Sequence, residues 1–176
     1  SGSGQGIELI NEILLDEGDT VIVESFTFAG ALSNLTRRGV SFVGVDIDES
    51  GIRMDHLKDI LEDLKANGTR PKYIYTIPTL QNPTGTVMTM ERRYQLIKLS
   101  EEYEVPIFED ECYADLIFEG ECEKAIRSLD DSNRVLHIGS FSKSLGPGLR
   151  LGYIVASWDV MSRLISRKSD AGTGVM

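Results

Sequence analysis

The chain contains 176 residues, of which 41% are hydrophobic and 26% are charged, a composition typical of a globular protein with one sizeable core. Its formal net charge of −10 argues against non-specific binding to nucleic acid, because the 18 Lys and Arg residues are scattered and form no basic stripe. No apolar run approaches the ~20 residues of a membrane-spanning helix, and no basic and apolar leader opens the sequence. These features predict a cytoplasmic domain with neither a nucleic-acid nor a membrane partner.

The two cysteines, Cys112 and Cys122, stand in acidic contexts and lack the spacing of zinc ligands. We therefore expect two free thiols in a reducing compartment, and we predict no metal site.

Short β-rich runs alternate with amphipathic helical stretches along the chain. The predicted strands are residues 21–26, 41–47, 72–77, 105–109, 134–139 and 151–156. Apolar residues at helical spacing predict helices over 7–14, 57–64 and 96–103, and Thr89 is a suitable cap for the last of them. Near-continuous apolar strands separated by helices indicate a mostly parallel sheet with helices on both faces, which is a three-layer α/β/α fold.

Three motifs directly follow three of these strands. Residues 81–85 read Gln-Asn-Pro-Thr-Gly, residues 110–113 read Asp-Glu-Cys-Tyr, and residues 140–152 read Ser-Phe-Ser-Lys-Ser-Leu-Gly-Pro-Gly-Leu-Arg-Leu-Gly. Taken singly, the first is ordinary turn chemistry and the acid of the second is an ordinary helix cap. In parallel sheets the ligand crevice lies beyond the carboxyl ends of the strands, so the three together predict one site there.

The third motif suits an aldehyde that carries a phosphate. Lys143 can form a Schiff base with an aldehyde. The hydroxyls of Ser140 and Ser142, backbone N–H groups near the glycines and the guanidinium of Arg150 can hold a phosphate dianion.

With these motifs, the sequence resembles the fold-type I pyridoxal-5′-phosphate (PLP) enzymes, specifically the class I/II aminotransferases of the kynurenine/α-aminoadipate and multi-substrate branch. The resemblance rests on residues 3–6, 24–28, 82–85, 110–113 and 140–152. The spacings of 28 residues from Asn82 to Asp110 and 33 residues from Asp110 to Lys143 are also similar to those of the family.

The resemblance implies a role for each matched residue. The candidate catalytic residues are Lys143, as Schiff-base lysine and general base, Asp110, which would keep the pyridine nitrogen protonated, and Tyr113. Tyr113 and Asn82 would hydrogen-bond the phenolate oxygen of PLP, and Phe28 would stack on its ring. The remaining cofactor-binding residues would hold the phosphate at the N-terminus of the first helix. They are Ser3, Gly4 and Gln5, through backbone N–H groups and the Ser3 hydroxyl, together with Ser140, Ser142 and Arg150.

Two finer points follow from the same comparison with the family. Phe26 stands where the family often has proline, and Gly4 where this branch often has glutamine; neither departure touches the chemistry. Because a tight loop must aim the Asn82 side chain at the cofactor ring, we expect a cis peptide bond between Asn82 and Pro83.

The resemblance also implies a domain organisation and partners. Residues 1–176 would be the PLP-binding large domain, truncated at both ends and without the family's small C-terminal domain. The full-length protein would be a homodimer that moves an amino group between an amino acid and a 2-oxo acid. Two alternatives stay open. One is another PLP-dependent lyase or decarboxylase, since the cofactor residues do not decide which α-bond breaks; the other is the PLP-binding domain of a winged-helix transcription regulator.

Overall fold

The computed structural model describes residues 2–170 and contains a six-stranded sheet with helices on both faces. The helices are α1 (Gly2–Leu14), α2 (Ala29–Arg37), α3 (Met54–Ala66), α4 (Met90–Tyr103) and α5 (Trp158–Asp170). The strands are β1 (Thr20–Glu24), β2 (Ser41–Val45), β3 (Ile47–Asp48), β4 (Gly51–Ile52), β5 (Ile74–Thr76), β6 (Ile107–Glu111), β7 (Val135–Ser140) and β8 (Gly152–Val155).

The strand order in the large sheet is β2-β1-β5-β6-β7-β8. All neighbouring strands are parallel except β7 and β8, which are antiparallel. The predicted mostly parallel sheet of a three-layer α/β/α fold is therefore confirmed. The antiparallel β8 has a consequence for function, because it brings its amino end to the edge where the parallel strands end.

The core is divided by the sheet into two apolar clusters, because successive side chains of a strand point to opposite faces. Along β1, Val21 and Val23 pack in the cluster that also contains residues of α1, α2 and α5. Ile22 packs in the other cluster, with residues of α3 and α4. The helical spacing read from the sequence thus predicted which side of α3 faces the sheet: Leu57, Ile60 and Leu61 are buried.

The predicted cap of α4 is present, since the side chain of Thr89 accepts a hydrogen bond from the backbone N–H of Arg92. On the face predicted for this helix, Leu96 is fully buried, whereas Leu99 and Tyr103 are only partly buried. This helix lies at the periphery of its cluster rather than at its centre.

The predicted strand over residues 41–47 is confirmed over residues 41–45 and is wrong for its last two residues. The last hydrogen bond between the β1 and β2 segments runs from the N–H of Ser25 to the carbonyl of Val45. The chain then leaves the sheet at Asp46. Ile47 pairs instead with Ile52, in the antiparallel ribbon of β3 and β4. The backbone of Asp46 is satisfied outside the sheet, because its N–H donates to Nδ1 of His56.

Cys112 and Cys122 are free thiols, as expected from the sequence. Within residues 2–170, no helix is long and apolar enough to cross a membrane.

Candidate active site

A cavity of about 250 Å³ lies at the sheet edge where β5, β6 and β7 end. Because β8 runs antiparallel to β7, its first residue, Gly152, pairs with Ser140, the last residue of β7. Arg150, two residues before Gly152, is thereby brought to the same edge. Ten of the eleven predicted cofactor-binding residues line this cavity: Ser3, Gly4, Phe28, Asn82, Asp110, Tyr113, Ser140, Ser142, Lys143 and Arg150.

Gln5 does not line this cavity, unlike the other predicted cofactor-binding residues. Its side chain lies on a second cavity of about 670 Å³ between α1, β8 and α5. The reason is helical geometry: consecutive residues of α1 project about 100° apart, so the residue after Ser3 and Gly4 turns toward a different neighbour. The phosphate contact predicted for Gln5 is through its backbone N–H in the first turn of α1, and the position of its side chain does not test it.

Lys143 lies in a turn that directly follows β7. The turn is closed by hydrogen bonds of 2.9 Å and 3.2 Å from the N–H groups of Leu145 and Gly146 to the carbonyl of Phe141. The Lys143 Nζ atom lies 5.8 Å from the centroid of the Tyr113 ring, within the range of a cation–π contact. The lysine side chain is exposed, so its amine is accessible from the cavity.

Asp110 forms the buried wall of the cavity and is 3% exposed. Its Oδ2 accepts a 2.7 Å hydrogen bond from the hydroxyl of Tyr75. Its Oδ1 is buried and makes no hydrogen bond of standard geometry with the residues described. Burial raises the pKa of Asp110, and contacts with Cys112 and Tyr75 oppose this rise. A buried acceptor left open on a cavity wall is suited to a charged N–H donor on a ligand.

Asn82 and Tyr113 lie next to each other on the cavity wall. The amide of Asn82 donates a 3.2 Å hydrogen bond to the Tyr113 hydroxyl. The peptide bond between Asn82 and Pro83 is cis, as predicted. Leu80, two residues earlier, has a φ of 50°, in the left-handed region that non-glycine residues seldom adopt. The backbone of this loop is thus held in an unusual course that presents the Asn82 side chain to Tyr113.

The hydroxyls and the guanidinium predicted to hold a phosphate surround the first turn of α1. Four backbone N–H groups at a helix start have no partner within the helix, and they carry partial positive charge. A Cβ on Gly2 would lie 3.1 Å from a guanidinium nitrogen of Arg150, so that side chain sits directly against the helix start. A Cβ on Gly152 would lie 2.8 Å from the backbone nitrogen of Ser3. Glycine at both positions lets α1, β8 and Arg150 approach closely enough to enclose one anion.

Phe28 lies directly before α2 and is 39% exposed. A Cβ on Gly30 would lie 2.4 Å from the ring of Phe28, so the ring covers this glycine. Gly30 has no side chain and so makes room for the Phe28 ring at the cavity. No pattern in the sequence singles out this glycine.

Two further residues, Cys112 and Tyr75, received no role from the sequence. Cys112 lines the cavity, and its thiol donates a weak 3.4 Å hydrogen bond to the hydroxyl of Ser3. Burial raises the pKa of the Cys112 thiol, so the sulfur stays protonated and can act as this donor. Tyr75 supplies the hydrogen bond to Asp110 described above. Among residues 2–170, no group of three or more His, Cys, Asp or Glu side chains is arranged to hold a metal ion.

Comparison with known proteins gives a consistent set of relatives. The family model for aminotransferases of class I and II matches residues 1–171. An aromatic-amino-acid aminotransferase of Thermococcus litoralis is 39% identical over 156 residues, which cover 89% of this chain and 37% of that protein. An uncharacterized HTH-type transcriptional regulator of Bacillus subtilis is 32% identical over 178 residues, which cover 99% of this chain and 35% of the regulator.

The solved structures include a kynurenine aminotransferase of Pyrococcus horikoshii in complex with PMP. It superimposes on this chain with a TM-score of 0.91 and 36% sequence identity, over 96% of this chain and 42% of that one. The chain thus spans less than half the length of each of these relatives.

Proposed function

Since this chain belongs to the class I and II aminotransferase family, we propose that it forms the cofactor-binding large domain of a PLP-dependent aminotransferase. The observation that carries the proposal is the convergence of Lys143, Asp110, Asn82 and an anion pocket on one cavity at the carboxyl ends of the strands. PLP has one reactive or charged group for each of these features.

The residues of this cavity fit PLP in two respects that do not depend on the family. Asp110 presents a buried oxygen without a standard hydrogen bond, which suits a protonated ring nitrogen. At the other end, the glycine contacts at Gly2 and Gly152 keep Arg150 and the start of α1 close together, which suits a phosphate. The P. horikoshii relative was solved with PMP, the amino form of this cofactor.

When bound, PLP supplies an aldehyde carbon and a ring that withdraws electrons from the substrate α-carbon. Lys143 Nζ would hold the aldehyde carbon and, once displaced, would take up and return the proton of the α-carbon as general base. Asp110 would hold the proton on the ring nitrogen. Asn82 and Tyr113 would donate to the phenolate oxygen and keep it ionised.

The phosphate contacts orient the cofactor without taking part in proton transfer. Backbone N–H groups of Ser3, Gly4 and Gln5, in the first turn of α1, and the hydroxyls of Ser140 and Ser142 would donate hydrogen bonds to the phosphate oxygens. Arg150 would add a charge-assisted contact, and Phe28 would cover one face of the ring. Ser142 N–H already donates a 3.2 Å hydrogen bond to the Ser140 hydroxyl, which orders this side of the pocket.

The proposed reaction transfers an amino group between an amino acid and a 2-oxo acid. We further propose that the full-length protein acts as a homodimer in the cytoplasm, where the free thiols of Cys112 and Cys122 are expected to persist.

A regulator of transcription is the second candidate, and the B. subtilis relative, which matches almost the whole chain, is the observation that favours it. A PLP-dependent lyase or decarboxylase shares the same cofactor residues and stays a further alternative.

The test uses the full-length protein, PLP and a panel of amino acids with 2-oxoglutarate as acceptor. An aminotransferase binds PLP with a visible absorbance band and forms a 2-oxo acid from the donor only when an acceptor is present. A lyase or decarboxylase releases its product without an acceptor, and a regulator binds PLP but does not turn over. Absence of PLP binding overturns the proposal.

Two lysine variants make this test specific. Lys143→Ala is expected to abolish transamination and covalent PLP binding, while non-covalent PLP binding persists through the phosphate and Asp110 contacts. Lys98→Ala, which changes an exposed lysine of α4 away from the cavity, is the control and should keep full activity.

A further inference from the structure

Glu24 is a buried carboxyl group that the function described so far does not use. It ends strand β1 and is 1% exposed. Its Oε1 accepts hydrogen bonds from the Thr76 hydroxyl at 2.6 Å and the Ile77 N–H at 3.2 Å. Its Oε2 accepts from the side-chain amide of Gln81 at 2.8 Å. No Lys, Arg or His in the described part of the chain forms an ion pair with it, and burial raises the pKa of Glu24 to about 7. A buried acid without a cationic partner calls for an explanation.

Gln81 connects this acid to the loop of the candidate active site. Gln81 is 3% exposed, and its amide nitrogen also donates a 2.5 Å hydrogen bond to the carbonyl of Phe26. Its Oε1 accepts from both the N–H and the hydroxyl of Thr84, at 2.9 Å and 2.8 Å. One side chain therefore ties the end of β1 to both sides of the cis Asn82–Pro83 bond.

The backbone of Gln81 closes the same loop a second time. Its N–H donates a 2.8 Å hydrogen bond to the carbonyl of Thr86, and its carbonyl accepts a 2.6 Å hydrogen bond from Gly85. These contacts enclose residues 82–85, which include Asn82, and the amide of Asn82 donates to the Tyr113 hydroxyl at 3.2 Å. The direction of the Asn82 side chain is thus set by contacts that converge on Gln81.

We propose that Glu24 is a positioning residue that, through Gln81, holds the 81–86 loop so that Asn82 faces Tyr113 in the cofactor cavity. The inference rests on the proposed function, because Asn82 matters here as a donor to the cofactor's phenolate oxygen. Glu24 itself lines no part of the cavity. Its effect on the cofactor passes entirely through the loop.

The hydrogen-bond pattern explains why an acid serves better than an amide at this position. The Gln81 oxygen is already engaged by Thr84, so its amide nitrogen must face Glu24. Glu24 receives donors on both oxygens, whereas a glutamine has one acceptor oxygen and would turn an N–H₂ group toward one of those donors. Glu24→Gln therefore loses the partner of either Gln81 or Thr76. Exchanging the two residues, Glu24→Gln with Gln81→Glu, restores a donor facing an acceptor between these two side chains. The rescue is partial, because the Phe26 carbonyl loses the Gln81 amide as its donor.

The first measurement is the pH midpoint of the absorbance change of bound PLP in the full-length protein. Asn82→Ala removes a donor to the phenolate oxygen and is expected to raise the midpoint by ~1 pH unit. Glu24→Gln should raise it in the same direction by about half as much, and the exchanged double variant should return it toward the starting value. The control is Asp130→Asn, which changes another buried acid with backbone and side-chain donors but lies away from the cavity. The control should leave the midpoint unchanged.

The second measurement needs no cofactor. Hydrogen–deuterium exchange of peptides over residues 78–88 should become at least about tenfold faster in Glu24→Gln and should slow again in part in the exchanged variant. If Glu24→Gln does not fold, Gln81→Ala takes its place in both measurements.

A full-length protein that binds no PLP overturns the proposed function. An unchanged midpoint and unchanged loop exchange in Glu24→Gln, alongside a shifted midpoint in Asn82→Ala, overturn the positioning role alone. An unshifted midpoint in Asn82→Ala also overturns the positioning role, because Asn82 would then not influence the cofactor and its position would not matter.

Discussion

The hydroxyl of Tyr75 donates a 2.7 Å hydrogen bond to Oδ2 of Asp110, and both side chains are buried. The Tyr75 ring is fixed edge-on against Phe108, with ring centroids 5.4 Å apart. The hydrogen bond favours the ionised form of a carboxyl group whose pKa burial raises. Tyr75 therefore supports the negative charge that the proposed site requires beside the cofactor's ring nitrogen.

Tyr75→Phe is expected to weaken PLP binding about tenfold, because a hydrogen bond to a charged group contributes about 1.5 kcal/mol or more. Equilibrium titration of the full-length protein with PLP measures the change. Tyr73→Phe is the matched control: Tyr73 packs against the same Phe108 ring but donates its 2.7 Å hydrogen bond to Asn11. Equal PLP affinity in the two variants would contradict the role given to Tyr75.

Asp110→Asn tests the charge itself. The amide keeps the shape of the side chain but no longer stabilises a protonated ring nitrogen, so proton removal from the substrate α-carbon should slow while Lys143 still binds PLP covalently. At ~1.4 kcal/mol per tenfold in rate, the loss of a few kcal/mol predicts a decrease in kcat of at least about 100-fold. Stopped-flow absorbance with an amino acid donor measures this step. A variant with undiminished kcat would remove Asp110 from the proposed mechanism.

Gly152→Ala tests the close approach of β8 to the start of α1. An added Cβ would lie 2.8 Å from the Ser3 nitrogen and 2.9 Å from the Gly139 carbonyl oxygen, both of which are backbone atoms. The overlap should cost ~1–3 kcal/mol of folding free energy and displace Ser3, so that PLP affinity falls as well. Urea unfolding and PLP titration of the full-length protein measure the two effects. Gly148→Ala is the control, because nothing lies within 4 Å of its added Cβ. If Gly152→Ala has the stability and PLP affinity of Gly148→Ala, the close approach of β8 to α1 does not shape the phosphate site.

Much of this fold is readable from the sequence because apolar runs and turn motifs are local signals. The three motifs come after strands, and parallel strands end at the same edge, so the meeting of Asn82, Asp110 and Lys143 at one cavity follows from topology. The β2 boundary is not readable in this way. Residues 41–47 alternate like one strand, but the exit at Asp46 depends on partners from other parts of the chain, such as His56.

The remaining differences share the same cause, which is that tertiary neighbours decide them. Glu24 lies in the matched segment 24–28 but received no role from the sequence, and only the fold reveals the three donors to its buried carboxyl group. α2 escaped the periodicity analysis because Ala31 and Leu35 are its only buried apolar residues.

The raised pKa of Glu24 predicts a specific dependence of stability on pH. Its carboxyl has a pKa of about 7 in the folded protein, against an ordinary value of 4.5. Between these two pH values the folded state binds more protons than the unfolded state, so stability falls as pH rises. The contribution of Glu24 is fully present below about pH 4.5 and is lost as pH passes 7, with a total on the order of 3 kcal/mol.

Glu24→Gln should therefore flatten the fall in unfolding free energy between about pH 4.5 and 7 in the full-length protein. Urea denaturation at a series of pH values, followed by circular dichroism, measures the slope. Asp130→Asn is the control. Burial raises the pKa of the Asp130 carboxyl, but the hydrogen bonds to it and the charge of Arg127 together outweigh burial and lower that pKa, so its effect appears only as pH falls toward and below its ordinary value of 3.8. A slope that is the same in Glu24→Gln as in the unaltered protein would show that the Glu24 carboxyl does not titrate as its burial requires.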